Sequence, residues 1–173
     1  MSDNFFIEKK KFPKKMQEPG TETYIFDDYV CITHGSSLNL MSKIGMCLQS
    51  SDLKDINPTK DWKRWKKCGL QNYYILAQTA VQECAACMRL LYDEQNLIIE
   101  YLYTVPDARG LGLGKKLVNI CRFFAEDMKL TLYVLSVEEA VTYWMNLGFL
   151  WVESEDDSRI NTYTDTYMMR DKA

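Results

Sequence analysis

The stretch Tyr101-Leu102-Tyr103-Thr104-Val105-Pro106-Asp107-Ala108-Arg109-Gly110-Leu111-Gly112-Leu113-Gly114-Lys115-Lys116 decides how this chain is read. Leu97 to Thr104 is rich in aliphatic and aromatic residues and predicts a strand. After Pro106 come three glycines at alternate positions. Leu117, Val118, Cys121, Phe124 and Ala125 then recur at helical spacing, which predicts a helix over 114 to 128. Glycines let backbone amides approach a ligand with no Cβ in the way. The helix start adds unsatisfied N–H groups and the positive end of its dipole. A pyrophosphate suits such a loop. Lys115 and Lys116 oppose that dipole end, and a negative ligand would offset them.

Two better-known phosphate loops do not fit. A dinucleotide fold needs its G-x-G-x-x-G early in a parallel βαβ unit, with an acid about 20 residues on. A P-loop needs Ser or Thr after its lysine, where this chain has Lys116. A plain glycine-rich turn remains the bland alternative.

Working outward, Tyr73 to Val81, Ala85 to Tyr92 and Leu97 to Thr104 read as strands, with a turn at Asp93-Glu94-Gln95-Asn96. They predict an antiparallel meander. Upstream, Tyr24 to Thr33 reads as one strand, and Asn39 to Leu48 as a helix with Leu40, Met41, Ile44 and Leu48 on one face. Pro58 precedes a further helix that ends near Gly69, carrying Trp62 and Trp65. Downstream, Leu130 to Leu135 is a strand, Glu138 to Leu147 a helix closed by Gly148, and 149 to 153 and 162 to 169 two last strands. Residues 1 to 20, with five lysines and two prolines, read as a flexible basic arm, and 21 to 173 as a single domain.

With these elements in place, Arg109-Gly110-Leu111-Gly112-Leu113-Gly114 resembles the R/Q-x-x-G-x-G/A motif of the GNAT superfamily of N-acetyltransferases. Pro106, three residues before the arginine, and Leu147-Gly148-Phe149 after a helix are similar to the family's flanking features. The resemblance implies a mixed α/β fold, with a central, mostly antiparallel, splayed sheet flanked by helices. It implies acetyl-coenzyme A (CoA) as co-substrate. The amides of Gly110, Leu111, Gly112, Leu113, Gly114 and Lys115 would hold the pyrophosphate, and Arg109 would order the loop. The strand edge at Leu102, Tyr103 and Thr104 would bond the pantetheine arm where that strand splays from Leu130 to Leu135. The implied activity is transfer of an acetyl or other short acyl group from acyl-CoA to a primary amine, by direct attack in a ternary complex.

An attacking amine must be neutral, so a base must receive its proton. Glu100 is the candidate, because strand alternation puts it on the face of Leu102 and Thr104. The competing reading pairs it structurally with Arg89 or Arg122, or leaves it in solvent. Family members carry a tyrosine three residues before the L-G-F leucine as general acid for the thiolate. Trp144 stands there, and the adjacent Tyr143 takes the position that faces the core. The usual asparagine is also missing from Ser136-Val137-Glu138-Glu139-Ala140. Tyr143 is assigned as the acid, with Ser136, Tyr133 or water as alternatives.

Composition narrows the rest. A net charge of -3 argues against a dedicated nucleic-acid binder. No apolar run has the length of a signal peptide or a membrane span, which predicts a soluble, cytoplasmic protein with no membrane partner. Six cysteines without an export signal read as buried reduced thiols. The Cys84-x-x-Cys87 spacing lacks the further ligands of a zinc site, so no metal is expected. His34, the single histidine, reads as a structural or solvated loop residue. The acceptor, whether a small molecule or a protein lysine or N-terminus, has no motif. A homodimer is compatible with the sequence but not indicated by it. Two further readings stay open: a CoA-binding module that has lost turnover, and an interaction protein acting through its basic arm and Trp62–Trp65 helix.

Overall fold

A computed structural model describes residues 22–27, 30–49, 69–152 and 167–172. The basic arm and the Trp62–Trp65 helix lie outside these residues. In chain order the elements are β1 (Glu22–Asp27), β2 (Val30–Gly35), α1 (Leu38–Gln49), β3 (Gln71–Thr79), β4 (Ala86–Tyr92) and β5 (Asn96–Thr104). A short 3-10 turn (Pro106–Ala108) then leads to α2 (Leu113–Met128), β6 (Thr131–Ser136), a second 3-10 turn (Glu138–Ala140), α3 (Val141–Asn146), β7 (Phe149–Trp151) and β8 (Tyr167–Asp171).

The strands form one sheet in the order β1-β2-β3-β4-β5-β6-β8-β7. All neighbours are antiparallel except β5 and β6, which are parallel because α2 carries the chain across between them. The meander from β3 to β5 is the predicted one. Its turn is closed by Asp93, whose Oδ1 accepts the backbone N–H groups of Gln95 and Asn96 at 2.8 Å each. The single strand expected over 24 to 33 is instead a hairpin, for Asp27 pairs with Val30 and the chain reverses between them. The strand-favouring residues on both sides, Tyr24 to Phe26 and Val30 to Thr33, read as one run and hid the reversal.

Each face of the sheet has its own core. On one, α2 packs Leu113, Leu117, Val118, Cys121 and Phe124 against Ile75, Met88, Leu97 and Ile99. On the other, α1 sets Leu40, Met41, Ile44 and Leu48 against Tyr74, Leu76, Cys87 and Tyr101. Ser37 Oγ accepts the N–H of Leu40 at 3.1 Å and starts that helix.

Two cysteine expectations change. Cys47 of α1 and Cys84, just before β4, form a disulfide with Cα atoms 6.1 Å apart, although 37 residues separate them in sequence. They are not reduced thiols, and no sequence spacing pointed to this pair. Cys87 and Cys121 remain free, buried thiols, and burial raises Cys87 to about 12. No group of three metal-ligating side chains occurs among the described residues.

His34 belongs to β2 rather than to a loop, and it is completely buried. Tyr73 Oη lies 2.7 Å from its Nδ1, and the ring of Phe124 packs against it with centroids 5.1 Å apart. Burial raises the pKa of the Tyr73 hydroxyl, so it stays protonated and donates, and His34 accepts as a neutral ring. Desolvation lowers His34 from 6.5 to about 4. Its folded pKa is depressed, so its contribution is complete above pH 6.5 and is lost as pH falls toward 4. The loss amounts to about 3 kcal/mol at most. We expect the urea midpoint of the wild type to fall across that window and the fall to be shallower in His34→Gln; parallel curves would contradict the assignment.

Candidate functional site

The site begins where two strands part. β5 and β6 pair from Asn96↔Thr131 to Ile99↔Val134 and no further. Beyond that point β5 stays with β4 as far as Ala86↔Thr104, while Leu135 and Ser136 of β6 pair with β8. Leu102, Tyr103 and Thr104 therefore present a strand edge toward the gap. This is the splay expected from the family resemblance.

At the end of that edge lies the glycine loop. Gly110 and Gly112 have φ of 83° and 74°, left-handed values that favour glycine. A Cβ on either would meet nothing within 4 Å, so both face open space. Gly112 is the N-cap of α2, which starts at Leu113, one residue earlier than expected, and no side chain caps it. The first intrahelical bond is Lys116 N–H to Gly112 O at 3.0 Å. The amides of Leu113, Gly114 and Lys115 therefore precede the helical ladder, as an anion site requires. Leu113 itself is buried in the core and fixes the helix start, whereas Leu111 is exposed. Arg109 Nε donates to Thr104 O at 3.3 Å, tying the loop to the strand edge.

The third component is α3. Trp144, at the position of the family's tyrosine, is buried and packs edge-on against Phe149, with ring centroids 5.4 Å apart. Tyr143 turns outward instead, which reverses the expectation that it faces the core. A Cβ built on Gly114 would lie 2.6 Å from Tyr143 Oη and 3.4 Å from Leu102 Cδ2. One point thus gathers a side chain of β5, the helix N-terminus and a phenol. Burial raises the pKa of that phenol, so it holds its proton through the neutral range. Of the alternative acids, Ser136 Oγ donates to Val137 O at 2.8 Å. Tyr133 packs with Leu91, Ile98 and Leu135 in a separate cluster.

Arg122 holds α3 in place. From α2 it donates through Nη2 to Leu147 O at the end of α3, and through Nε and Nη2 to the carboxylate of Asp171 on β8 at 2.8 and 2.9 Å. Its guanidinium also lies over the Phe149 ring. The bond to Asp171 is the largest cause of the raised pKa of Arg122.

Glu100 does not share a face with Leu102. The β4–β5 register shifts, with Arg89 opposite Tyr101 and Leu90 opposite Ile99, so Glu100 is an inserted residue. The bulge puts Glu100 and Tyr101 together on the α1 side. There Glu100 Oε2 lies 3.0 Å from Nη1 of Arg89, a fully buried side chain. Asn72 Oδ1 accepts from Arg89 Nε at 2.9 Å and from Nη2 at 2.5 Å. Sequence reasoning named Arg89 and Arg122 as structural partners of Glu100; Arg89 is that partner, Arg122 binds Asp171 instead, and Asn72 was missed. The available signal was an arginine inside the apolar run Cys87-Met88-Arg89-Leu90-Leu91, since buried charge demands partners.

This geometry agrees with comparison to known proteins. Residues 46–149 match the Acetyltransferase (GNAT) family, and the chain belongs to that family. An acetyltransferase from Streptococcus agalactiae is similar in structure, with a TM-score of 0.63 at 18% identity, covering 84% of this chain and 99% of that one. A GNAT-family acetyltransferase from Staphylococcus aureus gives 0.61 at 15% identity, with 82% and 98% covered. A GNAT-family acetyltransferase from Elizabethkingia anophelis, solved with acetyl-CoA bound, gives 0.56 at 14%, with 85% and 100% covered. At these identities the likeness is one of fold. Among curated proteins none matches the chain.

The crowding at Gly114 yields a test. In Gly114→Ala the new methyl must displace the far end of Tyr143, a flexible group, so stability should change by less than about 1 kcal/mol. Turnover should fall by about ten-fold or more as the phenol leaves its place. Steady-state rates beside urea melts check this; an active variant would separate Tyr143 from the chemistry.

Proposed function

We propose that this protein transfers an acetyl or other short acyl group from acyl-CoA to a primary amine by direct attack in a ternary complex. The observation that carries the reading is the meeting of the Leu102 side chain, the Gly114 helix start and the Tyr143 hydroxyl at one point. The loop also fits a pyrophosphate, because its left-handed glycines face open space and its helix start lacks a side-chain cap. The amides of Gly110, Leu111, Gly112, Leu113, Gly114 and Lys115 would hold it, with Arg109 tying the loop to Thr104. Leu102, Tyr103 and Thr104 would receive the pantetheine arm along the strand edge. Acyl-CoA supplies the activated acyl group when bound.

The chain's own residues then manage orientation and protons. Backbone N–H groups near Leu102 or Thr104 would polarise the thioester carbonyl. Glu100 would take the amine proton, directly or through water, at the splay. Tyr143 would donate its hydroxyl proton to the departing sulfur, and its raised pKa suits a group that must arrive protonated. The rival reading, a CoA-binding module that has lost turnover, rests on Trp144 at the family's tyrosine position and on Val137 where its asparagine is missing. That argument weakens now that Trp144 is a core residue and the adjacent tyrosine reaches the site.

The acceptor is a small molecule or a protein lysine or N-terminus, and the reading invokes neither metal nor nucleic acid. We place the protein in the cytoplasm, where acyl-CoA is made and where a disulfide such as Cys47–Cys84 is uncommon. No helix among the described residues is long and apolar enough to cross a membrane.

Calorimetry with acetyl-CoA, followed by thiol release with a library of amines, tests the proposal. Gly112→Trp should weaken acetyl-CoA binding by about ten-fold or more, because the indole projects from an open left-handed position into the ligand's path. Unchanged binding would sink the loop assignment. Tyr143→Phe and Glu100→Gln should keep acetyl-CoA affinity within about two-fold while lowering kcat by about ten-fold or more. Full turnover in either variant would remove that residue from its role.

A further inference from the structure

Arg89 is an arginine with no exposed surface in the centre of the sheet. A buried guanidinium is costly unless its donors are satisfied, and this one is held from both neighbouring strands. Asn72 on β3 takes Nε and Nη2, Glu100 on β5 takes Nη1, and the ring of Tyr74 lies 6.0 Å from the guanidinium carbon. Only a planar fork can serve Asn72 with two donors and Glu100 with a third; an ammonium cannot. The line Asn72–Arg89–Glu100 thus runs across three strands and ends on the inserted residue of the bulge. Glu100 falls between the paired positions Ile99 and Tyr101, so the ladder alone does not aim it. Bulges beside active sites commonly redirect a side chain in this way.

We propose that Arg89, backed by Asn72, is a positioning residue for acyl transfer. By engaging Oε2 it fixes the Glu100 carboxylate at the start of the splay. The proposal rests on the reading of Glu100 as base. It adds that this base works only while the guanidinium is held from behind, which makes Asn72, one strand further from the splay than Arg89, matter for turnover.

A double-mutant cycle tests this, with kcat measured at saturating acetyl-CoA and amine and with folding checked by thermal melts. Arg89→Lys and Asn72→Ala should each lower kcat by about ten-fold, with acetyl-CoA affinity unchanged within about two-fold. On a Glu100→Gln background, Asn72→Ala should cost less than about two-fold, because the carboxylate it serves has gone. Equal losses on both backgrounds, or a folded Asn72→Ala with full kcat, would show a structural brace and overturn the proposal. If the Arg89 variants fail to fold, the Asn72 arm decides alone. A fully active Glu100→Gln would remove the base, and this inference with it; a slow Glu100→Gln beside a fully active Asn72→Ala would remove only the positioning role.

Discussion

The structure turns on one constraint: β5 must keep its hydrogen bonds to β4 while giving up those to β6 after Ile99↔Val134. A strand edge released inside a sheet is normally a liability, since its N–H and C=O groups seek partners. Here the release is local and braced. The bulge at Glu100 changes the course of β5, and Arg89 ties the inserted residue back to β4 and, through Asn72, to β3. Leu102 to Thr104 then stand beside a gap, and the glycine loop begins where that edge ends.

The second side of the gap is set by α2 and by what it carries. Leu113, Leu117, Val118 and Phe124 anchor that helix on the sheet, so its N-terminus, with Gly112 as cap, is held at the edge. Arg122, further along the same helix, reaches the last carbonyl of α3 and the Asp171 carboxylate. One helix therefore positions both the glycine loop and the short helix bearing Tyr143. With Trp144 buried against Phe149, Tyr143 has to face outward, since on a helix adjacent residues point about 100° apart. The hydroxyl keeps its place over Gly114 although the family's tyrosine position holds an indole.

Much of this was legible from local signals. The meander, the glycine loop, the amphipathic α2 and the closing Leu147-Gly148-Phe149 all appear as periodicity, turn chemistry and composition within a few residues. Glu100 and Tyr143 were legible as candidates from strand position and from the family resemblance. Their orientations were not. Strand alternation put Glu100 on the Leu102 face and the family register put Tyr143 in the core, and each failed for a tertiary reason. An inserted residue breaks the two-residue period, and a tryptophan takes the core position of α3.

The same division holds across the chain. Sequence by itself determined that backbone amides at Gly110 to Lys115 could face an anion, because access to positive φ and the absence of Cβ come with glycine wherever it stands. It also determined the order of strands and helices from β3 onward, since side-chain period is a local quantity. Only the tertiary structure decided that Cys47 meets Cys84, that His34 is buried on Tyr73 and Phe124, and that Arg89 lies between Asn72 and Glu100. Those contacts join residues far apart in the chain, and their geometry is fixed by how the sheet and helices pack, which no local pattern encodes.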